Sequence, residues 1–129
     1  MPILAQLTEA IEASWAADTT FDASEWSPEN PARGQCVATS LVVQHFLGGE
    51  LQKLTTIFEG QPETHYRNVF TDGTVVDLTC RQYPADQPLT PAIVDLKSFP
   101  SIREKRLNEL VTKRKYELLL ARVIKGLSA

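Results

Sequence analysis

Three residues in this chain have the types and the order of a nucleophilic site: Cys36, His65 and Asp77. Cys36 follows Gly34-Gln35 and opens the apolar run Val37-Ala38-Thr39-Ser40-Leu41-Val42-Val43. That pattern predicts a helix whose first turn carries the thiol. The unpaired N–H groups and positive dipole end of a helix N-terminus favour a thiolate over a thiol. An imidazole beside the sulfur adds to that effect, and a carboxylate on the other ring nitrogen fixes tautomer and ring angle. The expected roles are nucleophile for Cys36, base for His65 and orienting group for Asp77. After attack on a carbonyl, the Cys36 N–H would stabilise the oxyanion, with Gln35 or Trp26 as candidates for a second donor. Taken singly, each residue of the three has an ordinary structural use: a core thiol, a strand histidine, a surface aspartate. Their order in the chain, with Gly-Gln before the cysteine, favours the chemical reading.

Zinc uses the same residue types. However, the chain has no Cys-x₂-Cys or His-x₃-His pair. His45 lies on the same predicted helix as Cys36, but roughly 13 Å away along its axis at 1.5 Å per residue. No metal and no cofactor are expected.

The placement of His65 and Asp77 depends on one turn. Asp72-Gly73 between two strand-like runs is a strong hairpin signal. With Asp72-Gly73 as a two-residue loop, His65 faces Cys80 and lies on the opposite side of the sheet from Asp77. With Thr71-Asp72-Gly73 as the loop and Gly73 at a left-handed bulge position, Arg67 faces Asp77. His65 and Asp77 then share one face as diagonal neighbours. A slip of one residue inverts every side chain, so the catalytic reading predicts the three-residue loop. The hydrophobic pattern agrees, since Tyr66, Phe70, Val76, Leu78 and Cys80 then gather on the other face. Cys80 is expected there as a buried structural thiol.

The remaining elements follow from periodicity and punctuation. Ile3, Leu7, Ile11 and Trp15 predict a helix over about 3–17 with Pro2 at its start. Asp18 to Arg33 reads as a long loop, and Trp26 within it is a plug before it is an oxyanion donor. The Cys36 helix is expected to run to Phe46 or Leu47 and to stop at Gly48-Gly49. Strand-like runs cover Leu51–Phe58, Thr64–Phe70 and Thr74–Cys80. Pro84, Pro88, Pro91 and Pro100 exclude a helix from Arg81 to Pro100, with Ile93-Val94-Asp95-Leu96 as a turn or edge strand. Helix returns from Ser101 to about Gly126, with Ser101 and Glu104 as a capping box and Thr112 as a second N-cap.

The whole fits one domain, 1–129, with 43% hydrophobic residues and enough length for a core. A net charge of −3 argues against nucleic acid. No run reaches the ~20 apolar residues of a membrane span. The start Met1-Pro2-Ile3-Leu4 lacks the basic and apolar regions of a signal peptide. A cytoplasmic location is therefore expected, with Cys36 and Cys80 as free thiols.

Gly34-Gln35-Cys36 at a helix start resembles the nucleophile segment of transglutaminases, in which a strand histidine and an aspartate on the next strand complete the triad. Thr64-His65-Tyr66-Arg67-Asn68-Val69, Asp72-Gly73 and Val76-Asp77-Leu78-Thr79 are similar to the rest of that pattern, at shorter intervals. Over most of the chain, Trp26-Ser27-Pro28, Asn30-Pro31, Gly48-Gly49 and Tyr116-Glu117-Leu118-Leu119 are similar to the small, uncharacterised bacterial YunG-like proteins. The resemblance implies an α+β fold of papain/transglutaminase type: a nucleophile helix on a small antiparallel sheet, flanked by N- and C-terminal helices.

The function expected is acyl transfer from an amide in a peptide or small molecule: hydrolysis, deamidation or transglutaminase-like exchange through a Cys36 thioester. The alternative is a non-catalytic binding module on the same scaffold with a vestigial triad. A redox sensor using Cys36 and Cys80 ranks last, because the expected register separates the two thiols.

Overall fold

Residues 2–128 are described by a computed structural model. After Pro2, α1 (Leu4–Ser14) buries Leu7 and Ile11, and the Gln6 side chain accepts from the Ile3 N–H at its start. The helix ends before Trp15, earlier than the apolar spacing suggests. Trp15 instead turns into the core and donates its indole N–H to Thr39 Oγ1 at 2.9 Å. The loop from Asp18 closes on itself: Thr20 Oγ1 donates to the Arg33 carbonyl and the Phe21 N–H to that of Gly34.

α2 (Cys36–Leu47) is the central element, buried without interruption from Cys36 to Val43. It stops at Gly48, whose N–H returns to the Gln44 carbonyl. The sheet that follows is antiparallel, in the order β3-β2-β1-β4. β1 (Glu50–Phe58) and β2 (Gln61–Val69) form its long hairpin, joined by Glu59 and Gly60 at φ of 51° and 77°. Positive φ at both positions is the turn geometry whose twist matches the strands. β2 therefore starts earlier than expected, and Pro62 sits where β2 has no second neighbour.

β3 (Val75–Val76) pairs Val75 with Val69 and Val76 with Asn68. The Phe70 N–H reaches the Thr74 carbonyl, and Gly73, at φ 86°, returns its N–H to Phe70. This is the three-residue loop, so Asp77 comes opposite Arg67 and shares a face with His65. The strand ends sooner than its sequence suggests. The chain turns at Thr79 into a short 3₁₀ turn, Cys80–Gln82, and Cys80 is exposed there rather than buried. Alternation through Leu78 and Cys80 describes a strand that the chain leaves after Val76.

The proline-rich segment contributes β4 (Thr90–Pro91) as the sheet edge on β1, while Ile93 is fully exposed and forms no strand. Gln87 and Pro88 fasten this segment to β1 through Thr56. α3 (Ile102–Leu107) begins at Ser101, whose hydroxyl accepts from the Glu104 N–H. α4 (Leu110–Leu127) is N-capped at Glu109; Thr112 lies buried inside its first turn, where it accepts from Arg106. Tyr116, Leu119 and Val123 join Leu7, Ile11, Leu41, Leu51, Tyr66 and Val76 in one core. The result is α+β, a four-stranded antiparallel sheet with four helices. No described helix is long and apolar enough to cross a membrane.

Candidate active site

Gly34 delivers Cys36 to the start of α2. Its φ is +74°, and a Cβ there would lie 2.2 Å from Thr20 Oγ1, so only glycine fits this close approach. The Thr39 N–H bonds to the Gln35 carbonyl as the first turn closes. The N–H groups of the residues before it belong to the open end of the helix.

His65 comes from β2 and is fully buried. Asn68, three residues on, donates to the Ser40 carbonyl at 2.9 Å and ties this strand to α2. His65 Nε2 donates to Asp77, lying 2.9 Å from Oδ1 and 2.8 Å from Oδ2. Sharing one N–H between both oxygens fixes the ring, and it leaves Nδ1 as the nitrogen available to Cys36. Burial disfavours the charged ring, but the Asp77 hydrogen bond and the Cys36 thiol outweigh it. Together they hold the His65 pKa at about 9, against an ordinary 6.5. His65 is therefore protonated at neutral pH. Cys36, His65 and Asp77 are brought together as the residue types and hairpin register suggest.

Cys36 opens onto a cleft of about 810 Å³. Its walls include Phe21 from the first loop, Thr55 and Ile57 from β1, Tyr66 from β2, and Tyr83 and Pro88. Arg33 and Glu63 form a two-point ion pair beside it, with Asp22 3.1 Å from the guanidinium. The Tyr83 hydroxyl donates to Glu63 at 3.0 Å, and the Tyr83 ring meets the edge of His65 at 5.5 Å. Arg33 holds the Glu63 carboxyl below its usual range. Burial, then the bond to Glu63, pushes the Tyr83 phenol up.

The two candidate oxyanion donors point elsewhere, Trp26 acting as the plug that its loop suggests. Gln35 is buried, and its amide donates to the Ala16 carbonyl at 3.1 Å. The Trp26 indole donates to the Pro31 carbonyl at 3.0 Å and pins its own loop. Neither lines the cleft. The residue that sequence reasoning missed is Gln82. Its Oε1 accepts from the Gly34 N–H at 3.2 Å, and its Nε2 stands 3.4 Å from His65 Nδ1. Nothing in the spacing of the chain announces a glutamine on a 3₁₀ turn.

Comparison with known families places this geometry in context. The YunG protein family matches residues 3–128, almost the full length. The chain belongs to the YunG family. A relative from Bacillus subtilis (strain 168), described as "Uncharacterized protein YunG", is 32% identical over 94 residues. That match covers 73% of this chain and 69% of the relative. No solved structure matches the chain. The YunG likeness expected from Trp26-Ser27-Pro28 and Gly48-Gly49 is thus established.

Proposed function

We propose that the protein performs thiol-based acyl chemistry on an amide, by hydrolysis, deamidation or transfer, with a papain/transglutaminase-like arrangement of its core. One observation carries the reading: a buried His65, gripped by both oxygens of Asp77, is influenced by a cysteine at the mouth of a cleft. With the proton resting on His65, the Cys36 sulfur attacks the carbonyl carbon and an S–C bond forms. The carbonyl π pair moves to oxygen and then returns as the C–N bond breaks. The leaving amine takes the His65 proton. Neutral His65 next removes a proton from water or an acceptor amine, which attacks the thioester and releases the sulfur. Asp77 keeps the ring in place throughout. The substrate is a peptide or small amide, recognised in part by the 18–33 and 81–100 loops, which supply Phe21, Asp22, Pro88 and Thr90 to the cleft.

The test is alkylation of each cysteine by iodoacetamide at neutral pH, read by peptide mass spectrometry. Accessibility alone favours Cys80, which is exposed, over Cys36, which is buried. Burial, then the charge of Asp77, also pushes the Cys80 thiol up. The expected result is Cys36 reacting roughly tenfold faster than Cys80, with that advantage lost in His65→Ala while the circular dichroism spectrum is unchanged. Reaction of Cys36 no faster than Cys80 would overturn the enzyme reading and leave a binding cleft.

A further inference from the structure

Beside Cys36 the cleft carries Gln82, a nearly buried side chain that the acid–base scheme leaves without a task. Its position is fixed from several sides. The 3₁₀ turn holds its backbone N–H on the Thr79 carbonyl, and Asn30 donates to its carbonyl at 3.4 Å. In the side chain, Oε1 accepts from both the Gly34 N–H at 3.2 Å and Arg33 Nη1 at 3.4 Å. Exchanging oxygen and nitrogen would set the amide hydrogens against two donors, so the orientation of the amide is determined. Nε2 consequently faces His65 Nδ1 at 3.4 Å.

That contact cannot hold in both protonation states of the ring. Neutral His65, with its proton on Nε2 toward Asp77, presents Nδ1 as an acceptor for Gln82. Protonated His65 presents an Nδ1–H, and two donors do not bond to each other. Both N–H groups then need a third atom, and Gln82 lines the same cleft as Cys36. Gln35 and Trp26 have already given their N–H groups to carbonyls.

We infer that Gln82 is a catalytic residue whose Nε2–H, with the Cys36 backbone N–H, binds the oxyanion formed when Cys36 attacks a carbonyl. The inference rests on Cys36 being the nucleophile. The group is rigidly presented before reaction, which is the condition for strong stabilisation of developing charge. It also sits on the turn that follows Asp77, so the hairpin that orients the base presents the oxyanion donor as well.

Two reagents separate this role from a positioning one. Iodoacetamide is attacked at carbon with loss of iodide, and no oxyanion forms. p-Nitrophenyl acetate passes through one: the sulfur–carbon bond forms, the π pair moves to oxygen, and it returns as coloured p-nitrophenolate leaves an S-acetyl cysteine. Both rates at Cys36 are measured in wild type, Q82M and Q82E. Q82E retains an acceptor for Gly34 and Arg33, which guards against loss of the fold, yet it has no N–H. The expected result is an acylation-to-alkylation ratio lower by roughly tenfold or more in both variants. An unchanged ratio, including a parallel fall in both rates, would overturn the inference while leaving Cys36 as nucleophile. A wild-type Cys36 inert to iodoacetamide would overturn the nucleophile reading itself, and this inference with it.

Discussion

Replacing Asp77 by asparagine keeps the shape of the His65 contact and removes its charge, with a cost that depends on pH. His65 binds its proton up to about pH 9 in the folded chain and has an ordinary value of 6.5. At ~1.4 kcal/mol per pH unit, that gap corresponds to ~3 kcal/mol of stability. A raised folded-state value places this contribution fully below the unfolded value, and it disappears as pH rises through about 9. In D77N burial of the ring is opposed by Cys36 alone, so the ring should lose its proton at a pH well below 9. Urea unfolding of both proteins should then show D77N less stable near pH 6 by as much as ~3 kcal/mol, the part of the shift that Asp77 supplies, with the curves converging by about pH 10. The two histidines of the chain make the cause visible by NMR. The His65 ring signal should titrate near 9 in wild type and move down in D77N. A D77N deficit that stays constant from about pH 6 to 10 would refute the argument, because a packing or hydrogen-bond loss has no such dependence.

Two further substitutions probe the scaffold. Gly34→Ala sets a Cβ 2.2 Å from Thr20 Oγ1 and 2.8 Å from the Asp22 nitrogen, at φ +74°. It should cost upward of ~3 kcal/mol in urea unfolding, whereas Gly73→Ala, with open space around it, should cost only the ~1–2 kcal/mol of a left-handed alanine. Glu63→Gln breaks the two-point pair with Arg33 and should cost ~1–3 kcal/mol near neutral pH. Because Arg33 lowers the Glu63 carboxyl, its stabilisation exists above the ordinary carboxyl range and is lost on acidification. The gap between wild type and E63Q should therefore narrow in melts as pH falls below the ordinary carboxyl range, and persistence of the full gap would contradict the ion pair.

The parts of this molecule that the sequence announces are those governed by local rules. Asp72-Gly73 offers two registers, and the alternation of Tyr66, Phe70 and Val76 selects the one that pairs His65 with Asp77. Gly48 ends a helix because the chain there must leave it, and Ser101 with Glu104 starts another. The misreadings arise where distant contacts override local ones. Thr112 looks like an N-cap, but Arg106 engages it inside the helix and Glu109 takes the capping position. Cys80 continues an apolar alternation, yet the chain has already turned away from the sheet. Gln82 was invisible because its partners, Gly34, Arg33 and His65, lie far from it in the chain and converge only after folding. Gln35 adjoins Cys36 in the sequence, but its amide meets the Ala16 carbonyl after folding, whereas Trp26 pins its own loop as its surroundings suggest.

The uninterrupted burial of α2 from Cys36 to Val43 divides the cleft into two mechanical halves. A helix clamped on all sides opens only with the core, so its amides should exchange with deuterium at the rate of global unfolding. The facing segment around Pro88 hangs on β1 by a few hydrogen bonds from Gln87 and Thr56 and should exchange through small local openings. Whatever enters the cleft thus meets an anvil on the cysteine side and a yielding wall opposite. Differences in ligand shape among relatives would accordingly be accommodated by drift in the segment around Pro88, with Gln82 and the helix that carries Cys36 held in place by the needs of folding.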